Sequence, residues 1–94
     1  MLDTLFAIVL ERKNTRPEGS YTTSLFESGI DRIAQKVGEE GVEVVIAAKN
    51  DNDKLLVGEI SDLLNHLTVL MAERNITPAD VAAELERRHA EKTR

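Results

Sequence analysis

Cysteine and tryptophan are absent from this chain, and aromatic rings are few: one tyrosine and two phenylalanines in 94 residues. Without cysteine, neither a disulfide framework nor a thiolate metal centre is available, and a reducing compartment suits the chain. No uninterrupted apolar run reaches the ~18 residues of a membrane span, so no membrane partner is expected. The opening MLDTLFAIVLERK is apolar for a few residues only, lacks a basic leader region and carries Asp3. A signal peptide is therefore not expected, and the expected location is cytoplasmic. Positive charge is also in deficit. Twelve Lys and Arg face seventeen Asp and Glu, a net charge of -5. A generic nucleic-acid binder neutralises phosphates with Lys and Arg, so no nucleic-acid partner is expected. A small anionic substrate is not excluded, because a bound cation and a few placed basic residues reverse the local field. The length supports one domain, residues 1–94, near the lower end of what buries a self-sufficient core.

Two prolines and abundant Leu, Val, Ala, Glu and Arg indicate an all-α chain. The pattern predicts a first helix over roughly 3–13, a loop at NTRPEGSY, and a short helix over about 22–27. Ser28, with Asp31 three residues on, reads as the N-cap of a third helix running to about Lys49. Its expected inner stripe is Ile30, Ile33, Ala34, Val37, Gly41, Val44, Val45 and Ala48. A polar turn, Asn50-Asp51-Asn52-Asp53, leads to a fourth helix ending near Arg74, with Leu56, Ile60, Leu63, Leu64, Leu67, Leu70 and Met71 inside. Thr77-Pro78-Ala79-Asp80 opens the last helix as N-cap, first-position proline and first-turn acid. Arg87, Arg88, Lys92 and Arg94 would solvate that helix and complement its dipole. The short connection between the third and fourth helices favours an antiparallel hairpin.

Five acids stand out on that hairpin: Glu39, Glu40 and Glu43, then Glu59 and Asp62. Acids at i and i+3 fall on one side of a helix. At ~100° per residue, Glu40 and Glu43 sit roughly 60° and 120° from Val37, and Glu59, Asp62 and His66 about 40° to 100° to one side of Leu63. Both acidic strips border their apolar stripes, so antiparallel packing brings four carboxylates together. Like charges do not gather unpaired out of bulk water, and a hard divalent cation with oxygen ligands resolves the conflict; Mg²⁺ with a polyphosphate is its commonest use. The alternative is a solvated acidic helix face. Glu39 lies further round, at ~160°, and becomes informative only beside a metal, where it could hold the attacking water. Lys36 lies on the acidic strip and either meets phosphates or pairs with Glu40 at i+4. Tyr21 stacks on a base or anchors its loop to the core. His66 supports Asp62 or is a hydrogen-bonded core histidine. Arg12, Lys13, Arg16 and Arg32 are candidate phosphate contacts. Val42 and Ile46 lie opposite Val37, and a helix apolar on two faces is buried on both, which predicts self-association, a homodimer. Gly38 and Gly41 fit a close backbone approach or plain tolerance.

The pattern Glu-Glu-x-x-Glu, a spacer of fifteen residues, then Glu-x-x-Asp resembles the signature of the all-α nucleotide pyrophosphohydrolase superfamily, which includes MazG-like proteins and dimeric dUTPases. More closely, SYTTSLFESGIDRIAQKVGEEGVEVVIAAKNDN and EISDLLNHLTVLMAERNITPADVAAELERR look like the phosphoribosyl-ATP pyrophosphatase family of histidine biosynthesis. The likeness covers nearly the whole chain. SYT-x-x-LF, KVGEE and the closing ELERR carry the family, whereas the acidic motif identifies only the superfamily. The resemblance implies an antiparallel bundle of about five helices completed by dimerisation. It implies Mg²⁺-dependent hydrolysis of 1-(5-phospho-ribosyl)-ATP to the AMP compound and pyrophosphate. Carried over by position, Glu40, Glu43, Glu59 and Asp62 are the expected metal ligands. Glu39 and Glu43 are the candidates for orienting or deprotonating water, and Lys36, Arg32 and Tyr21 for binding substrate. Gly41, Ser61 and Asn65 depart from the family pattern, and none of them replaces a ligand. Two other readings stand beside this one: a house-cleaning pyrophosphohydrolase of noncanonical nucleotides, and a non-catalytic acidic interaction module.

Overall fold

Helix formers fill each stretch between the turn signals, and the result is helical throughout. The computed structural model describes residues 1–91 and holds five helices: α1 (Leu2–Thr15), α2 (Tyr21–Ser28), α3 (Ile30–Ala48), α4 (Asp53–Glu73) and α5 (Pro78–Ala90). Among the described residues there is no strand, so the all-α expectation is borne out. Lys92 and Arg94, expected to solvate the last helix, lie outside the described residues.

Side chains set three of the starts. Ser20 accepts from the Thr23 amide, Asn52 from the Leu55 amide, and Thr77 from the Asp80 amide. Asp80 answers Thr77 through the Thr77 amide, completing a capping box with Pro78 at the first position. Such a cap contributes ~1 kcal/mol. The expected cap at Ser28 is not made. Ser28 closes α2, its hydroxyl donating to the Ser24 carbonyl, and Gly29 separates α2 from α3 at φ 91, ψ 177. That conformation is open to glycine and costly for other residues, so the break falls one residue later than the sequence pattern suggested.

The core sits where α1, α2, the start of α3 and the end of α4 converge. Val9, Leu25, Phe26, Ile33, Val69 and Ala72 form it, with Leu5, Phe6, Leu10 and Leu70 packed around. Lys13 extends from α1 to donate to the Ala72 carbonyl at 2.8 Å. This satisfies one of the free carbonyls at the end of α4 and places a cation at its negative pole. Lys13 is thereby a clamp in the fold rather than a free phosphate ligand.

Beyond the core, α3 and α4 continue as an antiparallel pair, and here the expected stripes shift. The inward residues of α3 are Ile33, Lys36, Val37, Glu40, Gly41, Val44 and Ala47, while Ile30, Ala34, Val45 and Ala48 are exposed. Relative to the expected stripe, the covered arc is turned roughly 50° towards Glu40. The sequence stripe had averaged two apolar faces, of which one chain covers only one. On α4 the departure has the opposite sense. Val69, outside the expected stripe, is fully buried, whereas Ile60 and Leu64 are 41% and 45% exposed. The last half of α4 is covered by α1 as well as α3, so burial there spreads around the helix.

By length and composition alone α4 could cross a membrane, although Glu59 and Asp62 interrupt its apolar run. A Cβ added at Gly38 or Gly41 meets nothing within 4 Å, so no close backbone approach among the described residues calls for either glycine.

Candidate functional site

The register of the α3–α4 pair places Glu40 against Glu59 and Asp62. Oxygens of these three carboxylates all lie within 4.8 Å of one another. Glu40 and Glu59 are half-buried at the seam and Asp62 stands at its open edge. Glu43, one turn on from Glu40, acts on Glu59 through its charge. Burial pushes the Glu59 carboxyl up, and the charges of Glu43, Asp62 and Glu40 push it the same way, in that order of weight. Among the described residues no cation pairs with Glu43, Glu59 or Asp62. The seam therefore concentrates negative charge that the described residues neutralise only in part, at Glu40.

Among the described residues, the cations that reach the cluster come from one side. Lys36 reaches Glu39 at 3.3 Å and Glu40 at 3.8 Å, and Arg32 reaches Glu39 at 3.8 Å. Gln35 also donates to Glu39, at 2.9 Å. That hydrogen bond and the one from Lys36 hold the Glu39 carboxyl below the usual range. In return, the Glu39 hydrogen bond raises the Lys36 ammonium, against the burial that lowers it, and the charges of Glu39 and Glu40 add to the rise. Glu39 thus belongs to a basic group next to the cluster, whereas Glu40, Glu59 and Asp62 form the cluster itself.

Tyr21 and His66 connect the start of α2 to this site. The His66 Nδ1–H donates to the Asp62 main-chain carbonyl at 2.7 Å. A carbonyl only accepts, so in the neutral ring Nε2 carries the lone pair, and it takes the Tyr21 hydroxyl at 2.9 Å. The two rings meet edge-on, with centroids 5.7 Å apart. His66 is buried, 5% exposed, and Tyr21 is half-exposed, so one ring is fixed and the other presents a face to solvent. The i, i+4 spacing of Asp62 and His66 carried this bond in the sequence. The partner on α2 had no local signal, because Tyr21 lies 45 residues away from His66.

The remaining candidates divide. Arg12 pairs with Glu11, and Arg16 donates through Nε to the Lys13 carbonyl, its terminal nitrogens having no partner among the described residues. Arg87 and Arg88 bind Glu84, and Arg87 also binds Glu91, which fits a solvated last helix. Asn65 is half-buried on α4, one position before His66.

The chemistry of the cluster could hold a cation. Three converging carboxylates, with a fourth acid adjacent and no nitrogen or sulfur donor, fit a hard divalent ion such as Mg²⁺. The chain is also similar to known proteins. The family described as Phosphoribosyl-ATP pyrophosphohydrolase matches residues 2–89. The phosphoribosyl-ATP pyrophosphatase of Leptospira biflexa is 53% identical over 83 residues, 88% of this chain and 90% of that protein. Its counterpart in Pelotomaculum thermopropionicum is 49% identical over 89 residues, 95% of this chain and 91% of that protein. A histidine biosynthesis bifunctional protein of Xanthomonas axonopodis pv. citri is 57% identical over 88 residues. That match takes in 94% of this chain and 43% of the bifunctional protein, so the chain spans less than half of that relative.

Proposed function

The chain belongs to the phosphoribosyl-ATP pyrophosphohydrolase family and is a hydrolase, and on that premise we propose that it hydrolyses 1-(5-phospho-ribosyl)-ATP. The products are 1-(5-phospho-ribosyl)-AMP and pyrophosphate, in the second step of histidine biosynthesis. The observation that carries this reading is the trio Glu40, Glu59 and Asp62, with oxygens within 4.8 Å of one another and a cation, Lys36, at Glu40 alone among the described residues, on a chain of that family.

Glu40, Glu43, Glu59 and Asp62 are the residues that would hold Mg²⁺. The ion would supply charge stabilisation on the nonbridging phosphate oxygens and on the leaving pyrophosphate. The protein's own part is positioning. Lys36, kept protonated by Glu39 and Glu40, offers an ammonium at the edge of the cluster for a phosphate oxygen, and Arg32 stands beside it. Glu39 orients these two cations, and its lowered proton affinity makes it a poor base. Glu43 has no cationic partner among the described residues and acts on Glu59, which suits it to orient or deprotonate the attacking water. His66, held between Tyr21 and the Asp62 carbonyl, fixes the turn of α4 from which Asp62 projects. Aligning water, phosphorus and leaving group is where such an enzyme gains most of its rate.

We also propose a homodimer. Val42, Val45 and Ile46 on α3 are 58%, 56% and 53% exposed, and Ile60 and Leu64 leave α4 uncovered beside them. Two adjacent helices with bare apolar faces are covered most economically by a second copy of the same pair. A cysteine-free chain of this charge suits the cytoplasm, where we place the activity.

The test is pyrophosphate release from phosphoribosyl-ATP measured beside a panel of NTPs and dNTPs. A strong preference for phosphoribosyl-ATP supports the proposal. Preference for a noncanonical dNTP moves the chain to a house-cleaning role, and no turnover of any substrate makes it an interaction module.

A further inference from the structure

The loop between α1 and α2 encloses a second feature, outside the carboxylate cluster. A cavity of about 440 Å³ lies there, lined by Arg16, Glu18, Ser20, Tyr21, Thr23 and Glu27 among others. Its size falls within the ~300–1,000 Å³ of small-molecule sites. Thr23 on its wall is 4% exposed, and among the described residues its Oγ1 has no hydrogen-bond partner. Buried hydroxyls in native proteins are nearly always satisfied, so an orphan at a cavity wall marks a place where a polar ligand completes the structure.

The other lining groups define that ligand. Arg16 sits at φ 46 and spends only Nε on the Lys13 carbonyl. Next to it, α2 begins; Ser20 caps the Thr23 amide, and the amides of Tyr21 and Thr22, which have no partner within the helix, are left to meet an anion. This end of the cavity suits a phosphate. Glu18 and Glu27 lie on the same cavity without a cationic partner among the described residues. Carboxylates repel a bare anion but accept readily from hydroxyls. One ligand class satisfies both ends: a sugar phosphate, its phosphate on Arg16 and its hydroxyls on the acids. Tyr21 forms a wall of this cavity and holds His66 beside Asp62, so a ligand spanning both sites passes along its ring.

We infer that the α1–α2 cavity is a sugar-phosphate subsite, which, on the reading proposed above, takes the phosphoribosyl end of the substrate while the triphosphate lies at the carboxylates. Arg16 and Thr23 are then the residues that distinguish phosphoribosyl-ATP from ATP.

The probe is ribose 5-phosphate, titrated into isotopically labelled full-length protein with amide shifts recorded by NMR. Saturable shifts confined to residues 16–27, with affinity falling at least fivefold in Thr23→Val and in Arg16→Gln, are expected. Absence of saturable shifts there, or equal affinity in both variants, overturns the inference; equal affinity for inorganic phosphate overturns the sugar part of it. Thr23→Val keeps the side-chain shape and removes an orphan hydroxyl, so it folds at least as stably as the parent. In kinetics, both variants raise KM for phosphoribosyl-ATP about tenfold, a larger change than any in kcat. An unmoved KM with phosphoribosyl-ATP as the true substrate also overturns the subsite. If the parent does not turn over phosphoribosyl-ATP at all, the proposed function fails, while the ribose 5-phosphate titration still decides the cavity.

Discussion

Replacing Asp62 with asparagine separates a metal site from a solvated acidic face, because the two readings give opposite signs in stability. Asp62 meets Glu40 and Glu59 with oxygens within 4.8 Å and has no cationic partner among the described residues. For the Asp62–Glu40 pair alone, 4.8 Å corresponds to about 0.9 kcal/mol of repulsion even with fully water-like screening. In a domain of this size that is worth about 4–7 °C in melting temperature. Glu59 adds repulsion of the same sign. Asn and Asp have similar helix propensity, and the main-chain carbonyl that His66 holds is untouched. Thermal melts in chelator should therefore show Asp62→Asn more stable than the parent by several degrees. Added Mg²⁺ reverses the order: a saturating ligand stabilises the parent by about 2.7 kcal/mol at a hundred times its Kd, and the variant by much less. Turnover should fall ~10²- to 10³-fold, as when a principal electrostatic group is removed. Glu86→Gln, on the exposed face of α5, serves as the control and should change none of these. A metal-free melting temperature that falls in Asp62→Asn, with an unchanged Mg²⁺ response, would refute the reasoning and favour a solvated face.

Three further outcomes are expected. Glu84, between Arg87 and Arg88, has its pKa lowered to about 2 from an ordinary 4.5, so its ion pairs stabilise above pH 4.5 and are lost as pH falls through about 2; acid titrations of Glu84→Gln should show a shallower loss of stability across that window than the parent. Ile46→Glu puts a charge on the bare face of α3, and sedimentation at micromolar concentration should show it dissociated or unfolded; a parent that sediments as an active monomer contradicts the dimer. Val69→Ala removes two buried methyl groups at 0% exposure, and urea unfolding should show a loss of ~2–3 kcal/mol with kcat in the cold unchanged.

Much of this arrangement is written locally. The Thr77-Pro78-Ala79-Asp80 start of α5 appears as its residues announce, because a capping box needs only four neighbours. The two acidic strips were legible because three-residue spacing fixes their side of the helix whatever the helix meets. What local pattern does not carry is which apolar face a partner covers. On α3, Val45 and Ala48 have the same periodicity as Val37 and Val44, yet they lie exposed, and the covered arc centres near Glu40. On α4, Val69 is buried by α1, an element far away in the chain. Ser28 has the composition of a cap, but Gly29 supplies a backbone conformation that serine adopts only at a cost, and it takes the junction. The Tyr21–His66 bond and the orphan Thr23 hydroxyl depend on how α2 sits on α4 and on the loop before it. No spacing rule reaches that far.

The most direct measurement of the central claim is phosphorus NMR of phosphoribosyl-ATP incubated with the protein, in Mg²⁺ and in excess chelator. The account predicts pyrophosphate and the monophosphate compound as the only primary products, formed with Mg²⁺ and not in chelator. Orthophosphate as the first product, or full turnover in chelator, would contradict it.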